Sequence, residues 1–185
     1  MRRGHLHLFL ALALALIPGC RDEVIVEFQP IPIDTSMTLV QTSFELGGNP
    51  SLSGWRTSNP DSVSFATDVP AEGGMWSVTL AGGWLDPGSL VTLVPAPVGT
   101  HIVQLDLWAK RNGPGGSAAI MTYQNSLLLP SKTTQVENET WEQLVITDTL
   151  TFEEGDSVGV RLFGGISQLL PSATFFDLCL LKKVD

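Results

Sequence analysis

Between Val103 and Lys110 every second residue is apolar: Val103, Leu105, Leu107 and Ala109 alternate with Gln104, Asp106, Trp108 and Lys110. A period of two suits a strand, whose side chains point to opposite faces in turn, and does not suit a helix, whose apolar stripe recurs every third or fourth residue. The pattern returns where Val158, Val160 and Leu162 alternate with Gly159, Arg161 and Phe163, and again at Leu144 and Ile146. Turn chemistry separates these runs at Gly47-Gly48-Asn49-Pro50, Ser58-Asn59-Pro60-Asp61, Glu72-Gly73-Gly74, Asp86-Pro87-Gly88, Asn112 to Gly116 and Glu153-Glu154-Gly155-Asp156. Glycine supplies positive φ there, and proline and Asx residues start turns. No stretch after Cys20 combines a helical period with caps. Many short alternating strands at this spacing predict an all-β chain, a sandwich or a barrel.

The N-terminus carries a different message. Arg2 and Arg3 precede an apolar run from Leu6 to Ile17, and Pro18-Gly19 precede Cys20. A basic head, a short apolar run and a small residue before a cut make a secretory signal, too short to span a bilayer as a stable helix. The run Leu16-Ile17-Pro18-Gly19-Cys20 resembles the lipobox of bacterial lipoproteins, with Pro18 in place of the usual small residue. That resemblance implies cleavage after Gly19, acylation of Cys20 and anchoring to a membrane of the bacterial cell envelope. Arg21 after the cysteine then points to the outer membrane or cell surface rather than the inner membrane. The expected division is residues 1–19 as signal peptide, 20–37 as lipidated cysteine and tether, and 38–185 as one β domain. Pro30 and Pro32 stiffen the tether, although Val24-Ile25-Val26 could pair as an edge strand.

Cleavage would leave 166 residues, enough for one proper core, with eight basic against nineteen acidic side chains, a net charge of −11. Such acidity argues against a nucleic-acid partner, whose phosphates need basic surface. With Cys20 acylated, Cys179 has no intramolecular partner; within Phe175 to Leu181 it reads as a small buried apolar residue.

The order of motifs carries a second resemblance. Ser43-Phe44-Glu45 followed by Gly54-Trp55 resembles the opening of CenC-like carbohydrate-binding modules of families four, nine and twenty-two. Leu107-Trp108-Ala109-Lys110 resembles their central strand, and Trp141 with Leu144 and Ile146, then Val158 to Leu162, the next two. Phe176-Asp177-Leu178-Cys179 stands where these modules often have Phe-Asp-Asp-Val, and Gln41 or Thr42 stands where they often have asparagine. The resemblance covers about residues 40 to 183. It implies a jelly-roll β-sandwich of two antiparallel sheets with a galactose-binding-like fold, and a structural calcium held by Glu45 and Asp177. A salt bridge or backbone hydrogen bonds would satisfy Asp177 equally well, because an unpaired buried charge is costly.

Sugars present polar rims and apolar faces, so their sites pair flat rings with hydrogen-bonding side chains. Gln104, Asp106 and Trp108 share one strand face; Arg161 joins them if its strand is a neighbour, and Tyr123 could complete a glycan-binding face. The alternative is that Trp108 and Tyr123 pack against loops or a second layer, and that Asp106 and Arg161 form a solvated ion pair. Trp55, Trp76 and Trp84 adjoin glycine-rich turns and offer a loop-edge site instead, although Trp76 shares the parity of Val78 and Leu80 and so is expected in the core. Chemistry has little to work with. His101 is the one histidine after Cys20, at a strand entry, and neither a G-x-S-x-G elbow nor an H-E-x-x-H pair occurs. The leading expectation is a membrane-anchored, non-catalytic lipoprotein that binds an extracellular glycan or polymer. A structural lipoprotein contacting a protein partner in the envelope and a small glycan-degrading enzyme stay open beside it.

Overall fold

The alternation centred on Leu105 marks the longest strand among the described residues. A computed structural model describes residues 38–166 and 171–184, so the signal, Cys20 and the tether lie outside the described residues. The strands are β1 (Thr38–Thr42), β2 (Glu45–Leu46), β3 (Asn49–Pro50), β4 (Val63–Ala66), β5 (Ser77–Gly82), β6 (Ser89–Pro95), β7 (Gly99–Asn112), β8 (Ser117–Gln124), β9 (Leu127–Gln135), β10 (Glu142–Phe152), β11 (Ser157–Phe163) and β12 (Ser172–Lys183). One sheet runs β10-β7-β12-β5-β4 with β1 also on β12; the other runs β6-β11-β8-β9. Both are antiparallel throughout. This is the two-sheet jelly-roll sandwich that the motif order implies.

The inward residues follow the predicted parity. Val103, Leu105, Leu107 and Ala109 of β7, Leu144 and Ile146 of β10, and Phe176 and Leu181 of β12 meet Ile120 of β8 and Val158, Val160 and Leu162 of β11. Each is at most 9% exposed. Cys179 lies in the same core as a free thiol, and burial pushes its ionisation well above the ordinary thiol range. Phe44, fully buried, closes one end of the core at a positive φ of 55°, with its ring centroid 5.4 Å from that of Trp55. Trp76 does not follow its parity. It precedes the first residue of β5, is only half-buried, and its indole N–H donates to the Gly48 carbonyl at 3.2 Å.

β12 shows why the first sheet has a branch. Residues 172–176 pair with β5 and residues 179–182 pair with β1, both along one edge. Between them the register against β7 shifts after Asp177, and Leu178 takes a φ of 46°. This bulge lets one strand serve two partners, and it aims Asp177 away from the core.

Phe176, beside the bulge, fills the layer between the sheets. Phe176→Ala is expected to lower stability by about 3–5 kcal/mol. Urea unfolding should show it as a reduced midpoint with an unchanged slope.

Candidate functional site

Residues directly opposite each other on paired strands share a face, so the outer surface of the four-stranded sheet can be read in rows. Pro95, Ser157, Tyr123 and Leu128 form one row; Leu93, Gly159, Met121 and Pro130 the next; Val91, Arg161, Ala119 and Thr133 the third; Ser89, Phe163, Ser117 and Gln135 the fourth. The third row has an extra member. Arg56 and Val91 exchange two backbone hydrogen bonds of 2.9 Å, so Arg56 extends the row past the β6 edge.

Two depressions adjoin along this surface. The larger, about 550 Å³, is lined by Trp55, Arg56, Val91, Leu93, Tyr123 and Ser157 among others. The smaller, about 270 Å³, lies over Ala119, Pro130, Arg161 and Phe163. They have no lining residue in common, but Val91 of the first is the strand partner of Arg161 of the second. Gly159, buried in the second row, lines neither depression, and a Cβ there would clash with the Thr92 carbonyl. At one rim Tyr123 is 39% exposed, which leaves its ring free to be covered. At the other, the Arg161 guanidinium sits 5.0 Å from the Phe163 ring centroid and its Nε–H donates to Ser89 Oγ at 3.3 Å. The stack and the hydrogen bond fix the guanidinium plane and leave its terminal amino groups as donors. A flat ring, a fixed cation and an aromatic platform along an open trough are what a polar ligand with apolar faces requires.

The five expected ligand residues are divided by the structure. Tyr123 and Arg161 line this trough. Gln104, Asp106 and Trp108 lie on the outer face of the other sheet, because β11 neighbours β6 and β8 and not β7. The expected common face therefore does not exist. Nor do Asp106 and Arg161 pair: Asp106 accepts from Lys182 at 2.7 Å, and its Oδ1 and Oδ2 both accept from Gln104 Nε2, at 2.8 and 3.0 Å. Trp108 is half-buried between Gln143 and Asp177 of the flanking strands. Trp55 belongs to the trough, while Trp84, 61% exposed, belongs to a separate turn. Arg56 and Phe163 were not among the expected residues. Phe163 was legible, since it shares the parity of Arg161; Arg56 follows the Gly54-Trp55 motif, but nothing local reveals that this segment pairs with β6.

Glu45 and Asp177 are brought together under the 70–75 loop. Asp177 is fully buried; its Oδ1 accepts the Leu178 N–H at 2.8 Å and its Oδ2 has no partner. Glu45 Oε2 accepts the Met75 N–H at 2.9 Å. A Cβ added to Gly73 would lie 2.6 Å from Asp177 Oδ2, and one added to Gly74 would overlap the Glu45 carboxylate, so the loop packs closely over both acids. Burial pushes the Asp177 carboxyl up to about 6 against the opposing pull of the Leu178 N–H, and the nearby Glu45 charge adds to the rise. An orphaned buried carboxylate oxygen beside a second carboxylate fits a hard cation. Among the described residues no group of three or more Asp, Glu, His or Cys converges, so backbone carbonyls and water would complete the six to eight oxygens calcium takes. His101, at the strand entry as expected, has its Nε2 3.1 Å from the Val98 carbonyl oxygen.

Compared by sequence, the chain matches no protein-family profile and no curated protein. Compared by structure, it is similar to carbohydrate-binding modules. The CBM22-1–GH10 modules of Clostridium thermocellum endo-1,4-beta-D-xylanase 10B, complexed with xylohexaose, superpose with a TM-score of 0.56 at 11% identity over 80% of this chain and 29% of that one. The CBM22-2 xylan-binding domain of Paenibacillus barcinonensis Xyn10C gives 0.53 at 13% identity over 78% and 99%. A family 16 carbohydrate-binding module gives 0.50 at 18% identity over 67% and 86%. The fold is the jelly roll of carbohydrate-binding modules.

The raised Asp177 value has a signed consequence. In chelator, its contribution is fully present below about pH 4, where the carboxyl is protonated folded and unfolded alike, and is lost as pH rises through about 6. Asp177→Asn is expected to remove that decline, on the order of 3 kcal/mol, in urea titrations run with EDTA across this window.

Proposed function

We propose that the trough on the four-stranded sheet binds an extracellular glycan and that the protein is a non-catalytic binding module held at the cell envelope. The observation that carries this reading is the trough itself: Tyr123 and Phe163 as ring surfaces, and Arg56 and Arg161 as donors, along one sheet face. The fold supports it, since the similar domains include a xylan-binding domain and modules complexed with xylohexaose. Binding here needs no bond to be broken; sugars would stack on the rings and exchange water for side-chain donors. Gln104, Asp106 and Trp108, on the opposite face with Asp106 engaged by Lys182 and Gln104, serve the packing of that sheet in this reading.

Glu45 and Asp177 are proposed to hold calcium, which would supply positive charge to two acids enclosed by the Gly73-Gly74 loop. In the chelator experiment above, adding calcium should cancel the loss of stability with rising pH in the wild type and leave Asp177→Asn unchanged. Acylation of Cys20 is proposed as the anchor, for which two or three lipid chains suffice where one is marginal. The full chain should then sediment with membranes, and Cys20→Ser should appear in the soluble fraction.

Titration of the detergent-solubilised chain against a panel of polysaccharides tests the trough. Tyr123→Ala should weaken binding about tenfold, in line with the loss of one stacking platform. Trp108→Ala, on the other face, should leave it unchanged. A folded protein that binds none of the panel would overturn the reading.

A further inference from the structure

The charge on the trough is opposite to the charge on the rest of the molecule. Between residues 38 and 184 the chain has seven lysines and arginines against fourteen aspartates and glutamates. None of these described carboxylates lines either depression, whereas two arginines do. On the other sheet two of the four cations are neutralised: Lys110 pairs with Asp68, and Lys182 with Asp106. Among the described residues neither Arg56 nor Arg161 pairs with a carboxylate. In so acidic a chain, a sheet face with unneutralised guanidinium groups and no acid is not what a neutral ligand requires.

Their placement is regular. Arg56 and Arg161 both oppose Val91, one on each side of β6, so the three residues form one row across the sheet. Two strand spacings put the arginine Cα atoms about 10 Å apart on the same face. Arg161 is fixed by Ser89 and Phe163, with its terminal amino groups left to make a bidentate contact. Arg56 is exposed at the edge and free to follow a second anionic group. Val91, between them in the same row, offers an apolar surface to the uncharged part of a sugar ring.

We infer that the ligand of this trough is an acidic glycan whose carboxylates or sulfates are held by Arg161 and Arg56. The inference rests on the glycan-binding reading of the same site and narrows it from polysaccharides in general to polyanionic ones. Arginine is suited to the task because its planar fork matches both anions and is always charged. The surrounding acidic surface would repel a polyanion everywhere else, so the trough sets both site and register.

The test is calorimetric titration of the full chain in detergent with a polyuronate, with dextran sulfate, and with neutral xylan and galactan, each at low and high NaCl. The expected result is binding to a polyanion in preference to both neutral polymers, weakened by salt. The polyuronate and dextran sulfate arms separate carboxylate from sulfate recognition. Arg161→Gln and Arg56→Gln should each weaken binding about tenfold, as for loss of a charge-assisted hydrogen bond. Lys183→Gln, on the other sheet, should change nothing, and circular dichroism should confirm that all variants are folded. Tighter binding of xylan or galactan, or polyanion binding that survives the double arginine variant, would overturn the inference and leave glycan binding standing. Binding to none of the four polymers would remove both.

Discussion

The removal of alternate side chains from water, strand by strand, is the constraint on which the rest of the molecule depends. Val103, Leu105 and Leu107 from one sheet and Val158, Val160 and Leu162 from the other have essentially no exposure, so their burial fixes the register of β7 and β11. A slip of one residue would turn each apolar set to solvent. Once the inner faces are fixed, the outer faces are fixed with them. Arg161 and Phe163 face outward because Val160 and Leu162 face inward.

The two outer faces have been put to different uses. On the six-stranded sheet several of the outward polar groups pair with one another. Asp106 is held by Lys182 and Gln104, and Asp68 by Lys110 and the Trp141 indole, which draw its carboxyl below the usual range. Lys110 in turn lies 4.8 Å from the Phe175 ring centroid. On the four-stranded sheet such closure is missing along the trough, where donors and rings remain available. The rings and guanidinium groups left available there, more than the fold, separate scaffold from site.

The sequence read well where the signal was local. Period-two alternation gave β7, β10 and β11 and their buried faces, and the order of weak motifs gave the two-sheet architecture. Glu45 and Asp177 were brought together as expected, although more than a hundred residues separate them. What failed was lateral. Nothing in the run Val103 to Lys110 says which strands lie beside it, so Arg161 was expected on the wrong sheet. Arg56 was missed for the same reason, since its place in the third row depends on hydrogen bonds to Val91, thirty-five residues on. Trp76 failed differently: parity holds only inside a strand, and β5 begins one residue later.

Gly159 limits how such a surface could diversify. Its backbone lies so close to the Thr92 carbonyl that a side chain there would force β6 and β11 apart and disturb the core beneath. Selectivity therefore has to be rewritten from the edges, by exchanging residues such as Arg56 or Tyr123 whose neighbours are solvent. A lineage could trade one polymer for another with few substitutions there, while the close approach of β6 and β11 at Gly159 is left as it is.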